Sequence, residues 1–197
     1  MHPAIRMATL DDAAALLKIY KPYVENTALT FECEAPALVE FAGRIRDISA
    51  TYPYLVCEIS EEIIGYAYAH RHKERAAYQW NAELSVYIAP AFHRRRIGAA
   101  LYGCLLDILR LQRVQNVYGV VSVPNPASET LHVACGFTKE GVYKETGYKF
   151  GAWRDIVTYI NRIGNHENNP PGVIPITKIH PHEISAITQK YTVMIKP

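Results

Sequence analysis

The chain has 197 residues and a mass of 22.2 kDa, which is enough for one domain with a sizeable core. A net charge of +2 is too small for nucleic acid to be the main partner. No apolar run reaches the roughly 20 residues that cross a bilayer, which excludes a membrane-spanning helix. The amino terminus has no basic segment followed by an apolar one, so we expect a cytoplasmic protein.

The first half of the chain alternates helical and strand patterns. After the strand-like "IRMAT", Thr9 is typical of a helix cap, and apolar residues follow it at spacings of three and four. A second helix is predicted to begin near Pro36. "YLVCEIS" and "IIGYAYAH" predict a β-hairpin around the acidic turn Glu61–Glu62, and "AELSVYIA" predicts another strand.

The second half continues the alternation. Residues 96–111 have a helical period, and the valine-rich "NVYGVVSV" predicts a strand that is buried on both faces. Asn125 and Pro126 are typical of the cap and first residue of another helix. Two last strands are predicted at 142–150 and 155–163. Strands that pair locally and also connect through helices indicate a mixed α/β sheet.

The composition changes after Ile163. "GNHENNPPGV" is polar and rich in proline, which is typical of a linker. The rest has some β character but no clean period. An arm packed on the body, an arm packed on a second subunit and a disordered tail all remain possible. We therefore predict one domain over 1–163 and an extension over 164–197.

The cysteines and histidines give little reason to expect a metal site. The four cysteines lie far apart and form no CxxC pair, so we expect reduced thiols in the core. They are Cys33, Cys57, Cys104 and Cys135. The pairs His70/His72 and His180/His182 could suggest zinc, but no further ligands stand at a suitable spacing.

The stretch "PAFHRRRIGAALYG" places three arginines between a strand and the start of a helix. A helix start offers unpaired N–H groups and a partial positive charge, which together bind phosphate. Arg94, Arg95 and Arg96 would add their charges to such a site. A solvated surface turn is the alternative interpretation of the same residues.

Two pairs of segments resemble a known family. "SVYIAPAFHRRRIGAALYGCLL", followed by "SVPNPASETLHVACGF", resembles the acetyl-CoA-binding core of the GNAT acetyltransferase superfamily. "YAYAHRHKERAAYQWNAELSVYI" and "GYKFGAWRD" resemble the phosphinothricin N-acetyltransferases, which acetylate the amino group of glutamate-like phosphinate and sulfoximine compounds. The resemblance covers residues 5–163. It implies a GNAT acyltransferase fold with a carboxyl-terminal extension, acetyl-CoA as the co-substrate, a small-molecule amine acceptor and a homodimer.

The resemblance also implies a cofactor site. The strand residues would pair with the pantetheine amides, the turn would surround the pyrophosphate, and the start of the next helix would lie near the pantetheine arm. These residues are Val86, Tyr87, Ile88, Arg94, Arg95, Arg96, Ile97, Gly98, Ala99, Asn125 and Ser128. Two residues depart from the family pattern. His93 replaces its first polar residue, and Arg96 replaces its first glycine, where it could weaken the site or add a charge-assisted contact.

Acetyl transfer to an amine requires a base, because an α-amine is mostly ammonium at neutral pH. The resemblance places Glu83 at the position of that base, acting directly or through a water. It implies the N–H of Ile88 as the donor to the oxyanion. His132 stands where many relatives have a tyrosine that serves the leaving thiolate. A satisfied structural histidine is the other interpretation of His132.

The acceptor site is predicted from two cations. Lys73 and Arg75 alternate along what we take as an extended stretch, so both would point to one face. They suit a ligand with a carboxylate and a second anionic or strongly polar group, although a basic surface loop remains possible. The resemblance also implies that Phe31 lines the substrate pocket, unless it is a core residue. It places Lys149 and Trp153 at a subunit interface or the pocket wall.

Two alternatives to this function remain open. One is a GNAT enzyme for another amine, such as a polyamine, a drug or a protein amino terminus. The other is a GNAT-fold module that binds CoA without catalysis, which the replacement of the family glycine by Arg96 suggests.

Overall fold

The fold is built on one sheet of seven strands, in the order β1-β2-β3-β4-β5-β7-β6, in a computed structural model that describes residues 3–196. The predicted mixed α/β class is confirmed. The strands are β1 (Pro3–Met7), β2 (Tyr54–Ile59), β3 (Glu62–Arg71), β4 (Asn81–Ile88), β5 (Asn116–Val123), β6 (Thr138–Lys149) and β7 (Ala152–Arg162). The helices are α1 (Ala13–Asn26), α2 (Leu38–Ser49), α3 (Ile97–Leu111), α4 (Pro126–Ala134) and α5 (Pro181–Thr192).

The centre of the sheet contains a divergence between two strands. Neighbouring strands are antiparallel except β4 and β5, which are parallel. β4 and β5 pair only from Asn81–Asn116 to Glu83–Tyr118. Beyond that point β4 stays paired with β3, and β5 stays paired with β7 as far as Val123. The two strands therefore separate and leave a gap in the sheet, which we call the splay.

The two faces of the sheet are packed differently. One core cluster joins α1 and α2 to alternate residues of β2 and β3, such as Val56 and Tyr66. The other joins α3 to the residues between them, such as Leu55 and Ala67. Since successive strand residues point to opposite faces, α1 and α2 cover one face and α3 covers the other. We call these the α1 face and the α3 face.

Three local predictions are wrong. Val120 of β5 is 41% exposed, so this strand is not buried on both faces, because α1 and α2 pack on β2, β3 and β4 instead. Residues 72–75 form bends followed by a short 3-10 helix, so Lys73 and Arg75 do not lie on an extended stretch. Cys33 is exposed rather than part of the core.

The start of α4 is as predicted. The side chain of Asn125 accepts a hydrogen bond from the N–H of Ser128 over 3.2 Å, and Pro126 is the first helical residue. The cap therefore fixes the point at which the chain leaves β5.

The carboxyl-terminal segment packs on the body through α5, which contacts β1 and α3. The Tyr191 ring fills the space beside Gly103, and its hydroxyl donates to Asp107 over 2.8 Å. Further on, the N–H of Lys196 donates to the carbonyl of Arg95 over 3.0 Å. Within residues 3–196 none of the helices has the length and apolarity that crossing a membrane requires.

Candidate active site

The splay leaves backbone groups of β4 without a strand partner. The N–H of Ala89 donates to Ile64 over 2.8 Å, so in this antiparallel pair the backbone of Tyr87 also faces β3. The intervening residues Val86 and Ile88 face the gap. Their main chain is free to pair with the amides of an extended ligand, which is the role predicted for it. The contact predicted for the main chain of Tyr87 does not fit this geometry.

The start of α3 lies at the mouth of the splay. The first helical bond runs from the N–H of Ala100 to the carbonyl of Arg96 over 3.0 Å. The N–H groups of Ile97, Gly98 and Ala99 therefore have no partner within the helix. A Cβ atom on Gly98 would lie 3.2 Å from Leu131 of α4, so glycine permits the close approach of the two helix starts.

The backbone of the arginine turn adopts a conformation that glycine residues usually adopt. Arg94 and Arg96 are left-handed, with φ of 64° and 63°. This conformation explains a family glycine at the position of Arg96. Both side chains are exposed, and among residues 3–196 neither guanidinium donates to a protein acceptor. Arg95 instead lies over the Phe92 ring, with Cζ 5.1 Å from its centroid. Two of the three cations can thus meet an anion.

His93, the other departure from the family pattern, connects the turn to the end of β4. Its Nε2 lies 3.0 Å from the carbonyl oxygen of Ile88 and 3.2 Å from the hydroxyl of Tyr23. Tyr23 donates to the same carbonyl over 2.6 Å. The carbonyl of Ile88 is therefore occupied, whereas its N–H faces the gap.

Glu83 lies on the α1 face at the last paired residue of β4, where the splay begins. His72 Nδ1 donates to Glu83 Oε2 over 3.0 Å, and the His72 ring stacks on Tyr118 with centroids 4.1 Å apart and planes 8° apart. His70 Nε2 lies 3.9 Å from Oε1 of the same carboxylate. The Glu83 side chain is 21% exposed, so water reaches a carboxylate that is held in one orientation.

The contact between His72 and Glu83 is a site feature that the sequence analysis missed. The signal was present in the strand register, because His70 stands directly opposite Glu83 in the hairpin of β3 and β4. His72 directly follows the end of β3, and its imidazole approaches the same carboxylate.

His132 lies on the α3 face and is 2% exposed. Its Nδ1 donates to the carbonyl of Ser128 over 2.8 Å, and the Tyr102 hydroxyl lies 3.3 Å from Nε2. Burial lowers the pKa of His132, so the imidazole is neutral. Gly119 of β5 leaves room for the ring, which a Cβ atom at that position would overlap. The structure does not bring His132 into contact with Glu83, because the sheet lies between them.

The loop between α1 and α2 is held over the end of β6. The Phe31 ring occupies the space beside Gly147, and Lys149 Nζ donates to the carbonyls of Val24 over 2.7 Å and Thr30 over 2.9 Å. Burial lowers the pKa of Lys149. Lys149 is 5% exposed and Trp153 is 60% exposed, so only the Trp153 side chain is open to a second subunit, and Lys149 can at most form part of the pocket wall.

The two predicted acceptor cations are exposed and lie before β4. Lys73 Nζ is 4.9 Å from the centroid of the Tyr78 ring, and Arg75 precedes the 3-10 helix Ala76–Tyr78. Neither makes a polar contact with Glu83 within residues 3–196. The structure therefore groups Glu83 with histidines and not with these cations.

The chain is similar to known acetyltransferases in both sequence and structure. A phosphinothricin N-acetyltransferase from Streptomyces viridochromogenes is 35% identical over 175 residues, which are 89% of this chain and 95% of that protein. An L-methionine sulfoximine/L-methionine sulfone acetyltransferase from Salmonella typhimurium is 29% identical over 82% of this chain and 95% of its own. The crystal structure of a GNAT superfamily phosphinothricin acetyltransferase from Sinorhizobium meliloti, in complex with AcCoA, has a TM-score of 0.84 at 32% identity. It covers 90% of this chain and 98% of that one.

The match to a family model covers most of the sheet. The model for the acetyltransferase (GNAT) domain matches residues 5–158, from β1 to β7. A splayed pair of central strands, a turn of orphaned N–H groups and a carboxylate at the start of the splay all lie within these bounds. The chain belongs to the GNAT acetyltransferases.

Proposed function

We propose that this protein transfers the acetyl group of acetyl-CoA directly to the amino group of a small acidic amino-acid analogue of the phosphinothricin or methionine sulfoximine type. The observation that carries the proposal is the Glu83 carboxylate, which His72 orients at the point where β4 and β5 separate. A base at this position can meet an amine on the α1 face while the acetyl group enters through the splay.

The residues present fit acetyl-CoA. Val86 and Ile88 offer main-chain groups along the gap, and the start of α3 offers three unpartnered N–H groups with Arg94 and Arg96 beside them. The first set suits the amides of pantetheine and the second suits a pyrophosphate. Asn125 and Ser128 line the start of α4 nearby and complete the proposed cofactor site. The replacement of the family glycine by Arg96 was the reason to consider a module that binds CoA without catalysis. Because Arg96 adopts the left-handed backbone that favours glycine, that reason is weakened.

The proposed chemistry begins with a proton. Glu83 accepts it from the acceptor's ammonium, directly or through a water, and the freed nitrogen attacks the acetyl carbonyl carbon. The C–N bond forms and the C–S bond breaks, with the N–H of Ile88 donating to the carbonyl oxygen while negative charge develops there. The second proton on the attacking nitrogen passes to the leaving thiolate, so that the products are the amide and free CoA thiol. The proposal also places His132 near the leaving thiolate. Because its only N–H donates to the carbonyl of Ser128, His132 does not itself supply the proton.

The acceptor class and the assembly are parts of the same proposal. Phe31 and the cations Lys73 and Arg75 are the proposed acceptor contacts, and relatives named for phosphinothricin and methionine sulfoximine support the class. A cytoplasmic homodimer is proposed as well. Its support is a group of exposed aromatic side chains on β6 and β7, namely Tyr143, Tyr148 and Trp153.

The test is acetyl-CoA turnover, followed by the release of free thiol, with phosphinothricin, methionine sulfoximine and a polyamine as separate acceptors. We expect release with the two amino-acid analogues and little with the polyamine. Turnover with the polyamine alone would assign the enzyme to another acceptor class. Tight CoA binding with no turnover on any amine would contradict an enzymatic function.

A further inference from the structure

Arg154 of β7 is a cation without a protein partner. Among residues 3–196 its guanidinium takes part in no ion pair and donates no hydrogen bond, and its Nε atom is buried without a partner. Arg154 is half-buried, and a buried polar atom without a hydrogen bond, such as its Nε, costs the fold free energy. Such a group is retained more readily where a ligand supplies the missing acceptors.

Arg154 lines a cavity of about 320 Å³. The cavity lies where the end of α1 meets the ends of β5 and β7, and its other lining residues are Thr27, Ala28, Leu29, Ser122, Val123 and Pro124. The walls are mainly apolar, and the hydroxyl of Ser122 makes no hydrogen bond to any residue in 3–196. A few polar groups on apolar walls are typical of a site for a small ligand.

The strand register places Arg154 on the same face as Glu83. Tyr118 stands beside Glu83, and Ser122 pairs with Ile156 of β7. Because directly paired residues share a face and alternate residues return to it, Glu83, Ser122 and Arg154 all belong to the α1 face. Four residues of β5, or about 13 Å at 3.3 Å per residue, separate Tyr118 from Ser122.

We propose that Arg154, with Ser122, binds the distal anionic group of the acceptor, a phosphinate or a second carboxylate. This inference rests on the proposed function. A small acceptor with its amine at Glu83 is shorter than this path along β5, so the proposal requires the Glu83 and Arg154 side chains to reach toward it from the two ends. The planar fork of arginine matches the two oxygens of a phosphinate or carboxylate, so the unpaired donors gain an acceptor of the right charge and shape. Lys73 and Arg75 precede β4, at the opposite end of this path.

The test uses two acceptors that share an α-amino acid group and differ at the far end. Phosphinothricin carries a distal anion, and methionine sulfone carries a neutral distal group. The variant Arg154→Gln should raise the KM for phosphinothricin about tenfold to a hundredfold, the range for a lost charge-assisted hydrogen bond. Its KM for methionine sulfone should stay within about twofold, and so should its CoA affinity measured by calorimetry. Arg162→Gln, an exposed arginine on the same strand, is the matched control and should change neither constant.

Each other outcome contradicts the assignment. An equal rise for both acceptors would mean that Arg154 contacts the shared α-carboxylate, and a loss of CoA affinity would place it in the cofactor site. Arg154→Met should keep or raise the melting temperature, whereas a lower one would show a structural arginine. Wild-type protein that neither binds nor acetylates phosphinothricin would overturn the proposed function as well. Normal wild-type turnover with no effect of Arg154→Gln would overturn this inference alone.

Discussion

The two candidate catalytic side chains occupy opposite faces of one sheet and contrasting environments. Glu83 lies on the α1 face, is 21% exposed and accepts a hydrogen bond from His72. His132 lies on the α3 face, is 2% exposed and is bonded to a backbone carbonyl and to Tyr102. In the proposed mechanism these environments suit different roles. The proposed base lies at the open face, where it can pass protons to solvent, and the histidine that burial keeps neutral lies in the core.

The largest expected effect is at Glu83. Glu83→Gln keeps the shape and the hydrogen bond from His72 but cannot accept a proton. Turnover should fall about 10²–10⁴-fold, the usual contribution of a general base, with CoA affinity unchanged. Steady-state kinetics measure the first and calorimetry the second. Glu62→Gln, at an exposed glutamate that begins β3, is the control and should behave as wild type. A comparable fall in the turnover of Glu62→Gln would contradict the claim that the loss in Glu83→Gln comes from a missing general base.

The next effect concerns the start of α3. Gly98→Asp adds a negative charge beside the unpartnered N–H groups, so CoA affinity should fall by at least about a hundredfold. Gly98→Ala adds the same Cβ atom, 3.2 Å from Leu131, without the charge, and should lose much less. Calorimetry with CoA on both folded variants separates charge from crowding. Equal losses would show that the turn does not hold the phosphates.

The effect at His72 should be smaller. His72→Phe keeps a ring to stack on Tyr118 but removes the donor to Glu83, so kcat should fall about tenfold with little change in the KM for acetyl-CoA. His72→Asn can restore a donor near the position of Nδ1 and should recover part of the loss. If kcat fell equally in His72→Asn and His72→Phe, the hydrogen bond from His72 to Glu83 would have no role in turnover.

The smallest effect is on stability and concerns the buried face. Burial lowers the pKa of His132 below its ordinary value of about 6.5, so the unfolded chain binds the proton more readily. Stability should therefore be full above that pH and decline as the pH falls below it, by at most about 1.4 kcal/mol over one pH unit. Urea unfolding of wild type and His132→Asn at pH 7.5 and 5.5 measures this. Between pH 7.5 and 5.5 the variant should lose less stability than wild type. An identical loss in both proteins would contradict the lowered pKa of His132.

The sequence predicted most of the fold because its periods are local. The alternation around Glu61–Glu62 and the cap at Asn125 depend on neighbouring residues, and both occur in the structure. The carboxyl-terminal helix was missed even though Ile184, Ile187 and Tyr191 stand three and four residues apart. The proline-rich stretch before it and its β-branched residues favoured an extended or disordered interpretation.

The candidate site was predictable only in part, for a physical reason. Glu83 and the arginine turn lie within motifs, so the resemblance identifies them as candidates. The contact of His72 with Glu83 depends on a strand register, and the isolation of Arg154 depends on which groups fail to reach it. For Lys73 the local pattern was misleading. Its spacing from Arg75 suggested an extended chain with both side chains on one face, but the chain bends there. Contacts across the fold cannot be derived from local patterns alone.

The most direct test of the central claim, that Glu83 is the base on the open face, is the ratio of wild-type to Glu83→Gln turnover from about pH 6 to 10. As the pH approaches the acceptor's own amine pKa, more acceptor arrives without its proton. The account predicts that the ratio shrinks as the pH rises, with matching melting curves for the two proteins. A ratio that stays constant with pH, together with a lower melting temperature for the variant, would contradict it.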